Sequence, residues 1–311
     1  MFKKVLVPTD FSSYAHKMQE CLAQMPGIEE VVLLNVVDGG NPMNLERKGW
    51  SYDSLIDEAQ TRLAEQADHL AHLGEKGLPV RSLLKVIVEP MSGADGVDMK
   101  RLQPRPGQET IEGGSVGEAI AKTAADEKAS LICMGAQGKG LIEGMLLGSV
   151  SSEVLRKGQT DLLIIRHKIL EGGKGGEYES VCRDMFSRVL LTSDLSDAGH
   201  EAISAARNLT GVGEILLVHV IAKESDFDEA AKGLNLLREE LAGQGRKITV
   251  HVLEGHAAQE IISLAKRQDV SLIMMGSQGK SWSRQIRVGS TTFDVARLAL
   301  SPVMVIRPKK S

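Results

Sequence analysis

The sequence predicts an α/β protein of two tandem domains, each built on a Rossmann-like, five-stranded parallel sheet. The first observation is a repeat, since residues 4–12 match residues 188–196 and residues 33–37 match residues 217–221 at a constant offset. The second is that apolar runs alternate with amphipathic stretches in both copies. Alternation of this kind implies parallel strands joined by crossover helices on both faces of a sheet.

The elements of each copy follow from these runs, in the order β-α-β-α-β-α-β-α-β. Runs of β-branched and aliphatic residues such as VRSLLKVIVE predict strands, and Leu55, Leu63 and Leu70 recur at helical spacing. In the first copy we expect strands at 3–8, 30–37, 80–89, 129–134 and 161–166, and helices at 12–25, 51–74, 116–127 and 149–157. In the second copy we expect strands near 187–192, 214–220, 247–253, 270–275 and 302–307.

The predicted domains cover residues 1–167 and 185–311. The segment between them, 168–184, is rich in glycine and polar residues, which is typical of a linker. The first copy also carries insertions near 39–51 and 91–110, and the prolines and glycines of the second insertion predict a loop. Because that loop follows the carboxyl end of a strand, it is either a lid beside the first site or a surface excursion.

Charge and hydropathy narrow the function classes. The net charge is −4 at pH 7 and no basic block is present, so nothing indicates nucleic-acid binding. Hydrophobic residues make up 42% and charged residues 25%, as in ordinary globular proteins. No apolar run approaches the roughly 20 residues that span a bilayer, and the chain begins directly in a strand pattern. We therefore expect a cytoplasmic protein with neither a membrane nor a nucleic-acid partner.

Both copies carry the same glycine pattern after their fourth expected strand. Gly-x2-Gly is followed by nine residues and then by Gly-Ser, where a helix is predicted to begin. Glycines let the backbone approach an anion, and the N–H groups and dipole of a helix N-terminus attract negative charge. The pattern therefore predicts a phosphate site in each copy, where the first hydroxyl side chains of the helix add donors. The residues are Gly135, Gly138, Gly148, Ser149, Val150 and Ser151, then Gly276, Gly279, Gly289, Ser290, Thr291 and Thr292.

A lysine follows the second glycine in both copies, and these lysines, Lys139 and Lys280, could neutralise phosphate charge. The pattern is not a P-loop, because Met274 stands where a P-loop needs its first glycine and Gly140 stands where it needs Ser or Thr. A purely structural strand-turn-helix connection would also use such glycines. Two copies with identical spacing favour the phosphate site.

An aspartate stands just past the first strand of each copy, at Asp10 and Asp194. Such an aspartate either caps the next helix or accepts hydrogen bonds from a ribose or a base. The ligand role is favoured because Ser12 and Ser196 can supply the caps. Of the histidines, only His219 and His256 are candidate neighbours of the second site.

With these motifs the chain resembles the universal stress protein family in its tandem form, whose fold is adenine nucleotide alpha hydrolase-like. The glycine pattern matches the family's ATP-binding pattern Gly-x2-Gly-x9-Gly-Ser/Thr twice, and VLVPTDFSS and MLLGSVSSEVL fit its nucleotide-binding branch. The resemblance implies that each domain binds ATP or a related adenine nucleotide, and Mg could accompany ATP. It adds site residues at the ends of the first two strands: Pro8, Thr9, Asp10 and Val36, then Thr192, Ser193, Asp194 and Val220.

Members of the family dimerise through their last strands, here 161–166 and 303–308. The resemblance therefore implies an internal pseudo-dimer of the two domains, and it leaves a homodimer of whole chains open. No Walker B aspartate and no nucleophile with a base can be named. The sequence thus predicts a nucleotide-binding stress-response regulator without catalytic or metal-ligating residues. The alternatives are a slow ATP hydrolase or phosphotransfer enzyme, and a scaffold that needs no ligand.

Overall fold

The computed structural model describes residues 2–23, 25, 27–39, 52–73, 77–88, 108–136, 147–166, 184–243, 245–279 and 288–308. Within these ranges lie eleven strands and eight α-helices. The strands are β1 (Lys4–Pro8), β2 (Glu30–Asp38), β3 (Val80–Val88), β4 (Gln108–Glu112), β5 (Leu131–Gly135), β6 (Asp161–Ile165), β7 (Arg188–Thr192), β8 (Glu214–Ile221), β9 (Lys247–Glu254), β10 (Leu272–Gly276) and β11 (Val303–Ile306). The helices are α1 (Ser13–Ala23), α2 (Tyr52–Ala71), α3 (Val116–Asp126), α4 (Ser149–Lys157), α5 (His200–Arg207), α6 (Phe227–Leu241), α7 (Ala257–Arg267) and α8 (Ser290–Leu298).

All the described strands belong to one sheet, in the order β4-β3-β2-β1-β5-β6-β11-β10-β7-β8-β9. Neighbouring strands within each repeat are parallel, and the antiparallel pair β6–β11 joins the two repeats. The order β3-β2-β1-β5-β6 therefore recurs in the second repeat as β9-β8-β7-β10-β11. The predicted class, tandem α/β repeats with parallel sheets, is confirmed, and the two sheets are continuous.

The first repeat has one strand more than the five that the sequence predicts. β4 pairs in parallel with β3 at the outer edge of the sheet, from Leu84 opposite Gln108 to Val88 opposite Glu112. Residues 108–110 belong to the second insertion, so the prediction of a loop is wrong for them. An edge strand pairs on one side only, and its tertiary context outweighs its weak strand propensity. The remainder of this insertion, 91–107, and residues 40–51 lie outside the described residues.

The core occupies both faces of the sheet. Helices α1, α2, α5 and α6 cover one face, where Leu22 of α1 and Leu234 of α6 are fully buried. Helices α3, α4, α7 and α8 cover the other face, where Val154 of α4 and Val295 of α8 are fully buried. Because both layers are packed on the strands, the helix starts are fixed relative to the strand ends. No described helix has the length and hydropathy that crossing a membrane would require.

The two repeats meet where β6 lies against β11, with the buried side chains of Leu163 and Met304 directly opposite. An arginine follows each of these strands, and both are buried. Arg166 donates through Nη2 to the carbonyl of Ala296 in α8, and Arg307 donates through Nη2 to the carbonyl of Leu155 in α4 (2.5 Å). Burial lowers the pKa of Arg166 to about 10. At the junction, the two repeats are therefore joined by a pair of strands and by two arginines, each of which bonds to a helix of the other repeat.

Candidate functional site

A cavity of about 270 Å³ opens at the carboxyl edge of the second repeat, where β7, β8 and β10 end and α8 begins. Every described residue predicted for this site lines it. These residues are Thr192, Ser193, Asp194, Val220, Gly276, Gly279, Gly289, Ser290, Thr291 and Thr292. Lys280 lies outside the described residues. Segments far apart in the sequence therefore meet around one cavity.

The cavity has further lining residues that sequence reasoning missed. They are Gly199, Val218, Ala257, Ile261, Met275 and Gln278. His219 also lines the cavity, whereas His256 is the N-cap residue of α7 and is not among its lining residues. Ala257 and Ile261 lie one turn apart in α7, so helical spacing gave a signal that they share a face. No signal in the sequence placed that face above the strand ends.

Asp194 occupies a tight turn after β7. Its Oδ1 accepts hydrogen bonds from the backbone N–H of Ser196 (3.1 Å) and from the hydroxyl of Ser196 (2.6 Å). The Ser196 Oγ in turn accepts from the N–H of Gly199 (3.1 Å) and so caps the short helical turn that follows. The serine therefore supplies the cap, as the sequence suggested. The aspartate instead shapes the turn that bounds the cavity.

The glycine loop of the second repeat, the segment that follows β10 and contains Gly279, lies directly against this aspartate. A Cβ atom on Gly279 would stand 2.4 Å from Asp194 Oδ2, far inside van der Waals contact. A Cβ atom on Gly199 would stand 2.6 Å from Asp194 Oδ1. Two segments that the sequence could only match by pattern are therefore parts of one site.

Gly289 stands at the N-cap of α8 with extended backbone (φ −71°, ψ 155°), and no side chain caps the helix. Its N–H donates to the carbonyl of Ser277 (2.8 Å). A Cβ atom on Gly289 would meet nothing closer than this carbonyl oxygen, at 3.8 Å. No described residue therefore requires a glycine at this position.

Two hydroxyls that the sequence predicts as donors to a ligand, those of Thr292 and Ser151, donate to backbone carbonyls. Thr292 Oγ1 donates to the carbonyl of Gly276 (2.8 Å), and Ser151 Oγ donates to the carbonyl of Gly135 (2.9 Å). These side chains tie the first turn of α8 or α4 to the end of the preceding strand.

The first repeat has the same framework at the ends of β1, β2 and β5. Asp10 Oδ1 accepts from the N–H of Ser12 (3.0 Å), and Ser12 Oγ accepts from the N–H of Ala15 (3.2 Å). Gly148 is the N-cap of α4, again without a side-chain cap. The other described site residues lie at these strand ends or at the start of α4: Pro8, Thr9, Val36, Gly135, Ser149, Val150 and Ser151. Gly138 and Lys139 lie outside the described residues.

Metal-binding chemistry has no candidate in the described part of the chain, because no group of three or more His, Cys, Asp or Glu side chains could hold an ion there. Cys133 in β5 is fully buried, and burial raises the pKa of its thiol to about 12. A thiol with that pKa stays protonated and unreactive at neutral pH.

The fold and the duplicated sheet edge define a class: tandem α/β proteins with parallel sheets, in which a glycine, Gly148 or Gly289, begins a helix at the carboxyl edge of each repeat. Residues 1–166 and 185–307 match the family model described as the universal stress protein family. These two matches span most of the sequence. The chain belongs to the universal stress protein family.

Relatives agree with this assignment. Universal stress protein Rv2623 of Mycobacterium tuberculosis is 28% identical over 220 residues, which cover 65% of this chain and 70% of the relative. Universal stress protein MJ0531 of Methanocaldococcus jannaschii is 30% identical over 148 residues, which cover 41% of this chain and 86% of the relative. The crystal structure of a universal stress protein from Archaeoglobus fulgidus has a TM-score of 0.67 at 24% identity, covering 99% of this chain and 97% of that one. The last comparison shows a common fold over the full length.

Proposed function

We propose that each repeat binds an adenine nucleotide at the carboxyl edge of its half of the sheet, and that the protein is a cytoplasmic stress-response regulator. The observation that carries the proposal is the cavity of the second repeat. It combines an aspartate, a glycine loop and the uncapped start of a nine-residue helix within one volume.

The start of α8 suits the phosphates. The first N–H groups of a helix have no partners within the helix, and the helix dipole favours an anion there. Gly289 has neither a positive φ nor a close neighbour that would exclude a side chain. A ligand that approaches the backbone closely accounts for a glycine at this position.

The other walls suit a nucleoside. Asp194 offers a carboxylate that can accept hydrogen bonds from ribose hydroxyls. Val218, Val220, Ile261 and Met275 supply an apolar surface for a flat base. The volume of about 270 Å³ is close to the lower end, about 300 Å³, of ordinary small-ligand sites.

The described side chains that line the cavity favour nucleotide binding without efficient hydrolysis of the nucleotide. Among the described lining residues, Asp194 is the one carboxylate and His219 the one imidazole. The Nδ1 of His219 already bonds to the carbonyl of Ser193 (2.7 Å). Hydrolysis needs a residue that orients or activates the attacking water and groups that stabilise the phosphoryl charge.

Equilibrium dialysis of the nucleotide-stripped protein against radiolabelled ATP, ADP and AMP tests the proposal, with and without Mg. We expect two nucleotides per chain for at least one of them, and Asp194→Ala should lower the stoichiometry to one. Steady phosphate release that Asp10→Ala abolishes would instead support the slow hydrolase. Retention of none of the three nucleotides would refute the proposal and favour the scaffold.

A further inference from the structure

Asn35 in β2 and His219 in β8 occupy the same place in the two repeats and make the same hydrogen bond. Asn35 donates through Nδ2 to the carbonyl of Thr9 (2.8 Å), and His219 bonds through Nδ1 to the carbonyl of Ser193 (2.7 Å). A carbonyl oxygen can only accept, so Nδ1 of His219 carries the proton in this arrangement. Two chemically different side chains therefore make the equivalent hydrogen bond in the two repeats.

The two carbonyls that accept these hydrogen bonds belong to Thr9 and Ser193, which directly precede the site aspartates. The other polar groups of Ser193 are also bonded: its N–H donates to the carbonyl of Val218 (2.9 Å), and its Oγ accepts from the N–H of Leu195 (3.1 Å). With the carbonyl also bonded, the peptide that leads into Asp194 cannot rotate freely. His219 therefore contributes to the direction in which Asp194 leaves the strand.

Asparagine, and histidine in the neutral tautomer that donates through Nδ1, each also carry one acceptor atom. Asn35 is buried, and its Oδ1 accepts no hydrogen bond from the described residues. His219 lines the cavity, and the Nε2 of a neutral, Nδ1-protonated imidazole is an acceptor. Asparagine and histidine share this pairing of one donor with one acceptor, whereas leucine has neither.

We propose that Asn35 and His219 are positioning residues that hold Asp10 and Asp194 in their binding orientation. This inference rests on the proposed nucleotide binding. It predicts that asparagine and histidine can replace each other at these two positions, because one repeat uses asparagine and the other uses histidine for the same hydrogen bond.

The test compares His219→Asn with His219→Leu by titration of nucleotide in an Asp10→Ala background, so that the second site alone is observed. We expect His219→Asn to keep the affinity within about twofold, and His219→Leu to lose about tenfold, the loss of one hydrogen bond. In the matched Asp194→Ala background, Asn35→His should keep and Asn35→Leu should lose affinity at the first site. The melting temperature of each variant shows whether it folds.

Equal affinity of His219→Leu and the parent would overturn the inference while leaving nucleotide binding intact. Equal losses in His219→Asn and His219→Leu, with unchanged melting temperatures, would also overturn it, since the shared hydrogen bond would then not be the cause. If the parent protein binds no nucleotide, the proposed function itself fails, and the two failures are therefore distinguishable.

A second, independent observation concerns the arginines at the junction. The carbonyl of Ile165, one residue before Arg166, accepts from the N–H of Ala136 at the start of the first glycine loop (2.9 Å). Arg166 itself reaches the carbonyl of Ala296 in α8, the helix that begins at the second site. The segment therefore connects the strand end next to the first site with the last turn of the helix that begins at the second site.

An equivalent set of contacts connects the end of β11 in the second repeat with helix α4 of the first repeat. The carbonyl of Ile306 accepts from the N–H of Ser277 at the start of the second glycine loop (2.8 Å). Its neighbour Arg307 donates to Leu155 in α4, the helix that begins at the first site (2.5 Å). The helices also touch directly, since the guanidinium of Arg156 lies 4.1 Å from the ring centroid of Phe293.

We infer that the two nucleotide sites are coupled through Arg166 and Arg307, so that occupancy of one site changes the affinity of the other. Both arginines are buried between packed helices, so a shift of either helix start is transmitted across the junction rather than absorbed by solvent. This inference also rests on the proposed nucleotide binding.

Titration of Asp10→Ala and of Asp194→Ala gives the affinity of each site while the other site is empty, and titration of the wild type gives two stepwise affinities. We expect the product of the two wild-type affinities to differ by about fivefold or more from the product of the two single-site affinities. The double variant Arg166→Lys with Arg307→Lys, introduced into all three proteins, should bring the ratio of these products to about one. A ratio of about one without the arginine substitutions would overturn the inference, even if the double variant does not fold.

Discussion

The two sites share a backbone framework, yet the side chains around it differ. After Asp10, the ring of Phe11 lies 4.7 Å from the guanidinium of Arg62, which also donates to the carbonyl of Phe11 (3.1 Å). After Asp194, Leu195 packs on α6 so closely that a Cβ atom on Gly233 would stand 2.8 Å from its Cδ1. The same turn is therefore supported by a cation in one repeat and by apolar contact in the other.

The comparison shows which part of the site is constrained. Phe11 and Leu195 have nearly the same positive φ, 61° and 59°, although neither is a glycine. This conformation costs about 1 kcal/mol or more and persists only where surrounding bonds impose it. In both repeats those bonds come from the side chains of residues 9 and 10 or of 193 and 194. The turn is thus common to both sites, and its surroundings are free to differ.

The largest expected effect tests whether the two repeats form one folding unit. Leu163→Ala and Met304→Ala each remove a fully buried side chain at the junction, and each should cost about 3 kcal/mol in the free energy of unfolding. Urea denaturation followed by circular dichroism measures the loss. A single transition, shifted equally by both changes, is expected. Two separate transitions, of which each variant shifts only one, would show that the repeats unfold independently.

A smaller effect should separate the second site from the first. Gly279→Ala places a methyl group where Asp194 Oδ2 now lies, 2.4 Å away, so the carboxylate must move. We expect about tenfold weaker nucleotide binding at the second site, corresponding to about 1.4 kcal/mol, and no change at the first. Binding at the first site of the same variant is the internal control, and its melting temperature shows whether it folds. Unchanged nucleotide binding by Gly279→Ala would show that Asp194 does not contribute to the second site.

The smallest effect concerns the helices α3 and α7, which occupy equivalent places. Ser115 and Glu118 form a capping box at the start of α3, whereas His256 at the start of α7 makes no side-chain cap. Ser115→Ala should therefore cost about 1 kcal/mol, and His256→Ser should gain about 0.5 kcal/mol. Thermal denaturation of the two single variants measures both changes. A loss in His256→Ser would mean that the histidine has another structural role.

Much of the site was predictable because its signals are local and occur twice. Asp194 follows a strand and the glycines precede a helix, so each motif could be placed on an element without tertiary information. The contact between Gly279 and Asp194 depends on the pairing of β10 with β7, which the structure shows. The repeat at a constant offset made each motif credible.

The rest depends on contacts that no local pattern encodes. Arg166 and Arg307 follow apolar strands and would normally face solvent, but the junction of the two repeats buries them against α8 and α4. Gln108–Glu112 forms β4 because the edge of β3 is available to it. The hydroxyl of Thr292 bonds to Gly276 because β10 and α8 converge there. In each case the partner is distant in sequence or is set by packing.

The central claim, two nucleotide sites on one duplicated sheet edge, is tested most directly by calorimetric titration of the nucleotide-stripped protein with ATP, ADP and AMP. Gly148→Val and Gly289→Val are titrated alongside, because a branched side chain at the helix start blocks close approach of a phosphate. The account predicts two binding events in the parent, each removed by its own variant and each retained in the other. Absence of heat with all three nucleotides, or loss of neither event in the variants, would contradict it.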